Sequence, residues 1–533
     1  MRRAGQWRAS ADSLGPAWLA FATVVVSAAL FLLWQVSPVA NRVTEDESTY
    51  VYDAQRMLSG QVPYRDFFSF NPPGIYYALA GFSKLSRLGP ETSERYLVLL
   101  AMLASFVAFL TTVRCRSRSH PLTLATLLIP FGFYAFAPFT SPHHTLALAC
   151  TVAAIALLPR VWERDCGRAA LALLGLLASL AASMIQTEGV VALAIALLAL
   201  LAGAETARNL VGRLAWFAAG TAAVAVAWLV PLAWSGALAS FWRDAVAWPL
   251  SHYKRPGNIN DYPFLGDVPA SLSTLWHWAP DRGTASGLLH AICGSLFYAS
   301  LAALCVASLV FAFVEFARAV RERRTPPPAL LTAGGATFLC YGLFSIGRTS
   351  SLHLVFASVP VLCVWILVLG SARARPLRRT GVWTALLAVL LFAGAVSHAR
   401  GLLARCPHAW EFADVDKPDR ESPLNQSLRA SPELRPGDTI VVLPSGGSAY
   451  LYAYPAAIGY TYLFPLEDGY HDFKDHERAA AEIEARKPKL ILVHRIRLAA
   501  FLGNDGPLAR IIRRQYAQGQ GSPTVALFVR KEA

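Results

Sequence analysis

The chain has 533 residues, 55% of them hydrophobic and only 15% charged, with a mean hydropathy of +0.41. This excludes an ordinary soluble protein of such length, because the apolar residues fall in blocks long enough to cross a bilayer. The net charge of +14 would suit a nucleic-acid binder, but the arginines are dispersed in small clusters between apolar blocks, which marks cytoplasmic loops instead.

The N-terminus carries Arg2, Arg3 and Arg8, followed by an apolar run over 17–34. The run lacks a small-residue cleavage site and many further spans follow, so it is expected to be a retained first helix with its N-terminus in the cytoplasm. Further spans are predicted at 94–113, 121–138, 145–159, 169–185, 189–204, 214–234, 286–315, 329–346, 352–370 and 381–397, which makes about eleven helices by the ~20-residue criterion. Arginine clusters test the count. They fall at Arg114, Arg116 and Arg118; Arg160, Arg164 and Arg168; Arg208 and Arg213; Arg318, Arg321, Arg323 and Arg324; and Arg373, Arg375, Arg378 and Arg379. Each cluster occupies every second loop, as the positive-inside rule requires. One miscounted helix would break the alternation.

The remaining loops, 35–93, 139–144, 186–188, 235–285 and 347–351, are therefore placed outside, together with everything after about residue 398. That tail differs in kind. "DTIVVLP" and "PKLILVH" have the pattern of buried strands, "HERAAAEIEARK" of a helix and "PTVALFVRK" of a closing strand. The expected fold is a polytopic α-helical membrane protein over 1–397, with a small α/β periplasmic domain over 398–533. The eight cysteines show no paired spacing, and Cys150, Cys293, Cys305, Cys340 and Cys363 lie in apolar runs, so neither a disulfide framework nor a metal site is expected.

Within the first outer loop, "TEDESTYVYDAQRMLSG" carries adjacent acids beside the lipid. Thr44 with Glu47 three residues later fits a capping box, and Val51, Ala54 and Leu58 form an apolar stripe that Gly60 ends. An amphipathic helix at the interface follows. Capping accounts for Glu47 and leaves Asp46 unexplained, and an acid held at the membrane face is a functional candidate.

The Asp46-Glu47 pair, the following Tyr50, "LSGQVPYRDFF" with Tyr64, and "NPPGIYY" together resemble membrane glycosyltransferases of the GT-C superfamily. The resemblance is to bacterial polyprenyl-phosphate-sugar enzymes related to protein mannosyltransferases and the lipid A aminoarabinose transferase. It is strong over the opening segment and looser over the helix count and the outer C-terminal domain. It implies Asp46 as catalytic acid/base with Glu47 as supporting acid, an inverting reaction, a polyprenyl-phosphate-linked sugar as donor, and a glycan, lipid A or protein as acceptor. It implies no cofactor and no nucleic acid.

Such a reaction needs a carboxylate to take the acceptor's proton and cationic or hydrogen-bonding groups to hold the leaving phosphate. The outer-face cations are Arg65 in "PYRDFF", Lys254 and Arg255 in "WPLSHYKRPGN", and Arg348 and His353 bracketing "GRTSSLH". Solvated or headgroup-binding residues are the alternative for each; Arg348 and His353 are favoured by their place at a helix boundary. The sequence departs from the family pattern twice. Several relatives carry a lysine before the Pro-Pro, where this chain has Asn71. A second acid often follows the third helix, where "FTSPHHT" offers His143 and His144. Phosphate contacts are then expected from Arg65 or the histidines, a metal-dependent variant is disfavoured, and Glu188 in "MIQTEG" is the candidate replacement acid. Two competing functions share these features: a transporter or flippase of lipid-linked sugars, which should show paired half-repeats or several charges within helices, and a non-catalytic envelope-assembly protein.

Overall fold

The structure is a computed structural model that describes residues 45–116, 142–163, 165–252, 306–323, 326–346, 351–370, 438–443, 473–495, 498–503, 505–519 and 525–531, with single residues 292, 303 and 521. The expected spans at 17–34, 121–138 and 381–397 lie outside the described residues, as do Lys254, Arg255 and Arg348.

Two helices precede the first described span: α1 (Glu45–Leu58) and α2 (Gly74–Ser86). The bundle follows as α3 (Pro90–Arg116), α4 (Pro142–Val161), α5 (Arg168–Met184), α6 (Gln186–Gly203), α7 (Ala207–Trp234), α8 (Pro328–Ile346) and α9 (Ser351–Gly370); residues 306–321 are also helical. Among the described residues, four helices are long and apolar enough to cross a membrane: 90–115, α4, α6 and α7. Shorter apolar helices occupy α5, 328–343 and 356–370. In packing, α5 lies between α4 and α7, α3 packs on α4, and α8 joins α6 to α9.

Small residues and polar ties set these contacts. A Cβ built on Gly175 would overlap the Phe217 carbonyl, and one on Gly220 would overlap the Ala172 carbonyl. The α5 and α7 backbones thus meet almost directly, the arrangement by which helices associate where lipid removes the hydrophobic drive. Trp162 Nε1 donates to Thr332 Oγ1 at 3.1 Å, and Trp365 Nε1 to Thr337 Oγ1 at 3.0 Å. Arg213 is buried, donating to the Val161 carbonyl at 2.6 Å and the Glu163 carbonyl at 2.7 Å. It closes the α4 C-terminus, where carbonyls lack helical partners and a cation is favoured.

The C-terminal region forms a four-stranded sheet in the order β1-β2-β4-β3, from β1 (Ile440–Leu443), β2 (Leu490–His494), β3 (Tyr516–Gln518) and β4 (Val525–Arg530). β1 and β2 pair in parallel, so a crossover must join them, and α10 (Phe473–Arg486) lies between them in sequence. β4 runs antiparallel to both neighbours. Val441, Leu443, Ile491 and Val493 pack with Ile483 of α10 and with Ile511 and Ile512 of α11 (Pro507–Gln515). Phe68, from the connection between α1 and α2, packs on the same cluster.

The apolar stripe expected for α1 holds in part: Val51 and Ala54 are buried, but Leu58 is exposed, and Tyr52, Asp53 and Arg56 are buried as well. α2 packs along α1, and Arg56 is covered from the connection between them by Gln61 and Phe67. The start of α2 explains "NPPG". Pro73 is its N-cap, where the missing N–H costs nothing. Gly74 abuts the Ser183 backbone, where a Cβ would overlap.

Candidate functional site

The connection 59–73 is organised by Asn71. Its Nδ2 donates to Tyr50 OH at 2.8 Å, its carbonyl accepts from Tyr64 OH at 2.6 Å, and its N–H donates to Ser69 Oγ at 3.2 Å. Ser69 Oγ in turn bonds Tyr76 OH. Asn71 is buried and occupied in joining α1 to α2. Tyr64 takes a left-handed backbone conformation at φ 67° and packs edge-on against Phe241 at 5.2 Å. Burial holds its phenol well above the usual range.

Arg65, expected to meet phosphate, is engaged. Its guanidinium binds Asp66 through Nε at 2.9 Å and Nη2 at 2.8 Å, and Nη1 reaches the Ser235 carbonyl at 3.3 Å. Hydrogen bonding from Arg65 holds the Asp66 carboxyl below its ordinary value. Arg56 is buried over the Phe67 ring, 4.4 Å from its centroid, and donates to Gln61 Oε1 at 2.7 Å. Near it, Asp53 is pushed up to about 7 by burial, with Arg56 opposing.

The second group of residues meets at one end of the bundle. His143 and His144 lie in the first turn of α4, Glu188 in the first turn of α6 and His353 in the first turn of α9. Residues 142–144 and 186–188, expected within loops, therefore form helix starts; only Ile185, extended at φ −156° and ψ 142°, separates α5 from α6. His144 Nδ1 bonds Glu188 Oε1 at 2.5 Å, and Thr187 Oγ1 donates to Glu188 Oε2. The His144 ring stacks on Phe356 at 4.9 Å and meets His353 edge-on at 5.2 Å. His143 lies 4.3 Å from His144 and 4.5 Å from Tyr50, centroid to centroid. Its Nδ1 is buried with no hydrogen-bond partner among the described residues.

The first turns of three helices thus meet at one cluster of three imidazoles, and helix N-termini carry the positive dipole end, an environment suited to an anion. Gln186 ties this end to the surrounding loops, donating to the Phe70 carbonyl at 2.7 Å and the Ala245 carbonyl at 3.0 Å. Ala245 belongs to a π-helical turn, Trp242–Ala247. Asp244 there is buried, bonded by Arg243 at 2.6 and 3.0 Å, and its carboxyl is raised by burial with Arg243 opposing. Trp248 follows, stacked on Phe70 at 5.4 Å.

Of the residues singled out from sequence, the structure brings together Tyr50, Asn71, His143, His144, Glu188 and His353, and sets Tyr64 behind Asn71. Asp46 lies in the first turn of α1. Glu47 is not simply a capping residue: its buried Oε1 accepts from Arg95 Nε at 2.9 Å. Sequence reasoning passed over Glu94 and Arg95, both buried; charges opening an apolar span were the available signal. It also missed Gln186 and Asp244, whose roles depend on distant partners. Among the described residues, no group of three or more His, Cys, Asp or Glu is arranged to hold a metal ion.

No protein-family model and no curated protein sequence matches the chain. Solved structures do. ArnT from Cupriavidus metallidurans in the apo state matches with a TM-score of 0.57 at 14% identity, over 96% of this chain and 98% of that one. ArnT bound to undecaprenyl phosphate gives 0.55 at 14% identity over the same shares. The apo oligosaccharyltransferase of Archaeoglobus fulgidus gives 0.51 at 12% identity, over 96% of this chain and 74% of that one. These proteins are GT-C superfamily members, and at such identities the likeness is one of architecture: the chain has the GT-C fold.

Proposed function

We propose that the chain is an inverting glycosyltransferase that moves a sugar from a polyprenyl-phosphate donor to a cell-envelope acceptor. The observation that carries this reading is the convergence of Tyr50, His143, His144, Glu188 and His353 at one end of the bundle. It occurs in a fold whose ArnT example holds undecaprenyl phosphate.

The acceptor hydroxyl attacks the anomeric carbon while the bond from that carbon to the phosphate oxygen breaks. The acceptor's proton passes to Asp46, and polyprenyl phosphate leaves with the bonding electron pair. Charge growing on the leaving phosphate is met by the N-termini of α4, α6 and α9 and by imidazole N–H groups, His353 among them, with Arg348, three residues before α9 in sequence, as a further candidate cation. Glu188 fixes the His144 ring, so that Nδ1 carries the proton it donates and Nε2 faces the opposite edge. Arg65 has a weaker claim, since Asp66 neutralises it.

The reading places the protein in the bacterial inner membrane with the N-terminus cytoplasmic and the cluster and C-terminal sheet periplasmic, on the strength of the arginine alternation. A reporter fused after Ala533 that works only in the cytoplasm would refute that orientation. The function is tested by comparing the masses of surface glycolipids and glycoproteins between wild type and deletion. Loss of one fixed sugar mass, restored by the wild-type gene and not by an Asp46→Asn copy, is expected; identical glycan profiles would contradict it.

A further inference from the structure

The docking stripe of α1 contains a charge. Glu47, Tyr50, Val51 and Ala54 are all buried, between 0% and 5% exposed, and they recur at the i, i+3, i+4, i+7 spacing that puts an apolar row against a neighbour. Glu47 holds the first place in that row, a position at which such a stripe ordinarily carries an apolar residue. Its partner is Arg95, in the second turn of α3, at 2.9 Å, the two side chains being 1% and 2% exposed. Arg95 Nη2 also lies 3.8 Å from Glu91, one turn earlier. Glu94 is fully buried beside them.

Two ions stripped of water regain in mutual attraction about what they lose in hydration, so such a pair contributes little net stability over an apolar one of equal volume. What it supplies is direction: a charged hydrogen bond fixes angle and register, where apolar contact permits sliding. Helix ends fray unless tied, and this bond ties α1 at its third residue. Asp46 is the residue immediately before. Three residues on, Tyr50 rests on His143, so the same face of α1 is held at one point by α3 and at the next by the imidazole cluster.

We infer that Arg95 is a positioning residue: by holding Glu47 it fixes the first turn of α1, and Asp46 with it, in register with the imidazole cluster. The inference rests on the transfer reading with Asp46 as proton acceptor. It treats the buried pair as a registration device for catalysis.

The test compares purified wild type, Arg95→Gln, Arg95→Lys and the double variant Glu47→Leu/Arg95→Met in nanodiscs. Each is measured for kcat, for donor KM and for thermal unfolding. Arg95→Gln should lose at least tenfold in kcat with donor KM within about twofold, and Arg95→Lys should recover most of the loss. Glu47→Leu/Arg95→Met keeps the packed volume without the directed bond, so it should stay folded, though buried Glu94 loses its charged neighbours Glu47 and Arg95, and yet be slow. A double variant as fast as wild type would overturn the inference, and it decides the matter even if Arg95→Gln fails to fold. Wild type that transfers no sugar would overturn the transfer reading and the inference together, whereas active wild type beside an equally active double variant would overturn the inference alone.

Discussion

His144 and Glu188, 44 residues apart in sequence, share a hydrogen bond of 2.5 Å between Nδ1 and Oε1 across the first turns of two helices. Removing the carboxylate charge leaves the ring's neighbours in place but loosens its orientation and tautomer. Glu188→Gln should therefore lower sugar transfer by about tenfold or more, in the range of a lost charge-assisted hydrogen bond. His144→Ala should do at least as much. Single-turnover transfer by the purified variants checks both, and full activity in Glu188→Gln would remove the dyad from the mechanism.

Asn71 stands immediately before Pro72 and Pro73, where a cation could meet a donor phosphate, which invites the idea that Asn71→Lys would strengthen donor binding. The structure argues the reverse. The side chain is buried and its amide serves Tyr50 OH, so lysine would bury an ammonium and strand a phenol, at a cost on the order of 1–3 kcal/mol or more. The expected result is a lower unfolding temperature and no gain in donor affinity. Tighter donor binding at wild-type stability would show that the loop can re-form around a cation.

Gly220 offers a test of the bundle away from the site. Its approach to the Ala172 carbonyl leaves no room for a side chain, and Gly220→Val must push α7 from α5. Overpacking of this kind costs about 1–3 kcal/mol, measurable as a lower midpoint in detergent unfolding. An unchanged midpoint would mean that the two helices do not meet at this point.

Asp53 should make stability fall as pH rises. Its folded-state pKa of about 7 lies above the ordinary 3.8, so in the folded protein it keeps a proton that the unfolded chain has already released. The associated stabilisation is full below about pH 4 and is lost as pH climbs through about 7. Asp53→Asn should match wild type near pH 4 and exceed it near pH 8. Unfolding midpoints at the two values check the sign; a variant less stable than wild type at pH 8 would contradict it.

Local signals made much of this molecule legible. Apolar blocks located the helices α3 to α9, and short apolar runs between turn residues located β1, β2 and β4 with α10. The resemblance around Asp46 pointed to the fold. Less visible was everything that depends on a partner. Tyr50, Asn71 and Tyr64 were noticed as polar residues in a telling segment, yet only packing shows them bonded to one another. Arg65 looked like a free cation because Asp66, its neighbour in sequence, was not weighed as its partner. Glu47 satisfied a local capping rule, but its bond to Arg95 spans 48 residues, and no local pattern encodes such a pair. Likewise "GIYYALAGF" lies within 35–93, expected as one outer loop, although a proline before it is also how a helix starts.

The central claim is that Asp46 takes the acceptor's proton during sugar transfer. Its direct test is single-turnover transfer by purified Asp46→Asn in nanodiscs, using the polyprenyl-phosphate-linked sugar that the deletion comparison identifies. Asp505→Asn, on a side chain 83% exposed near the C-terminal sheet, is the control; Glu47→Gln cannot serve, because Arg95 depends on it. An amide cannot accept the proton, so the account predicts a rate lower by ~10²–10⁴-fold with donor affinity and folding retained. Transfer by Asp46→Asn at the wild-type rate would contradict it and leave Asp46 as a charge at the start of a helix.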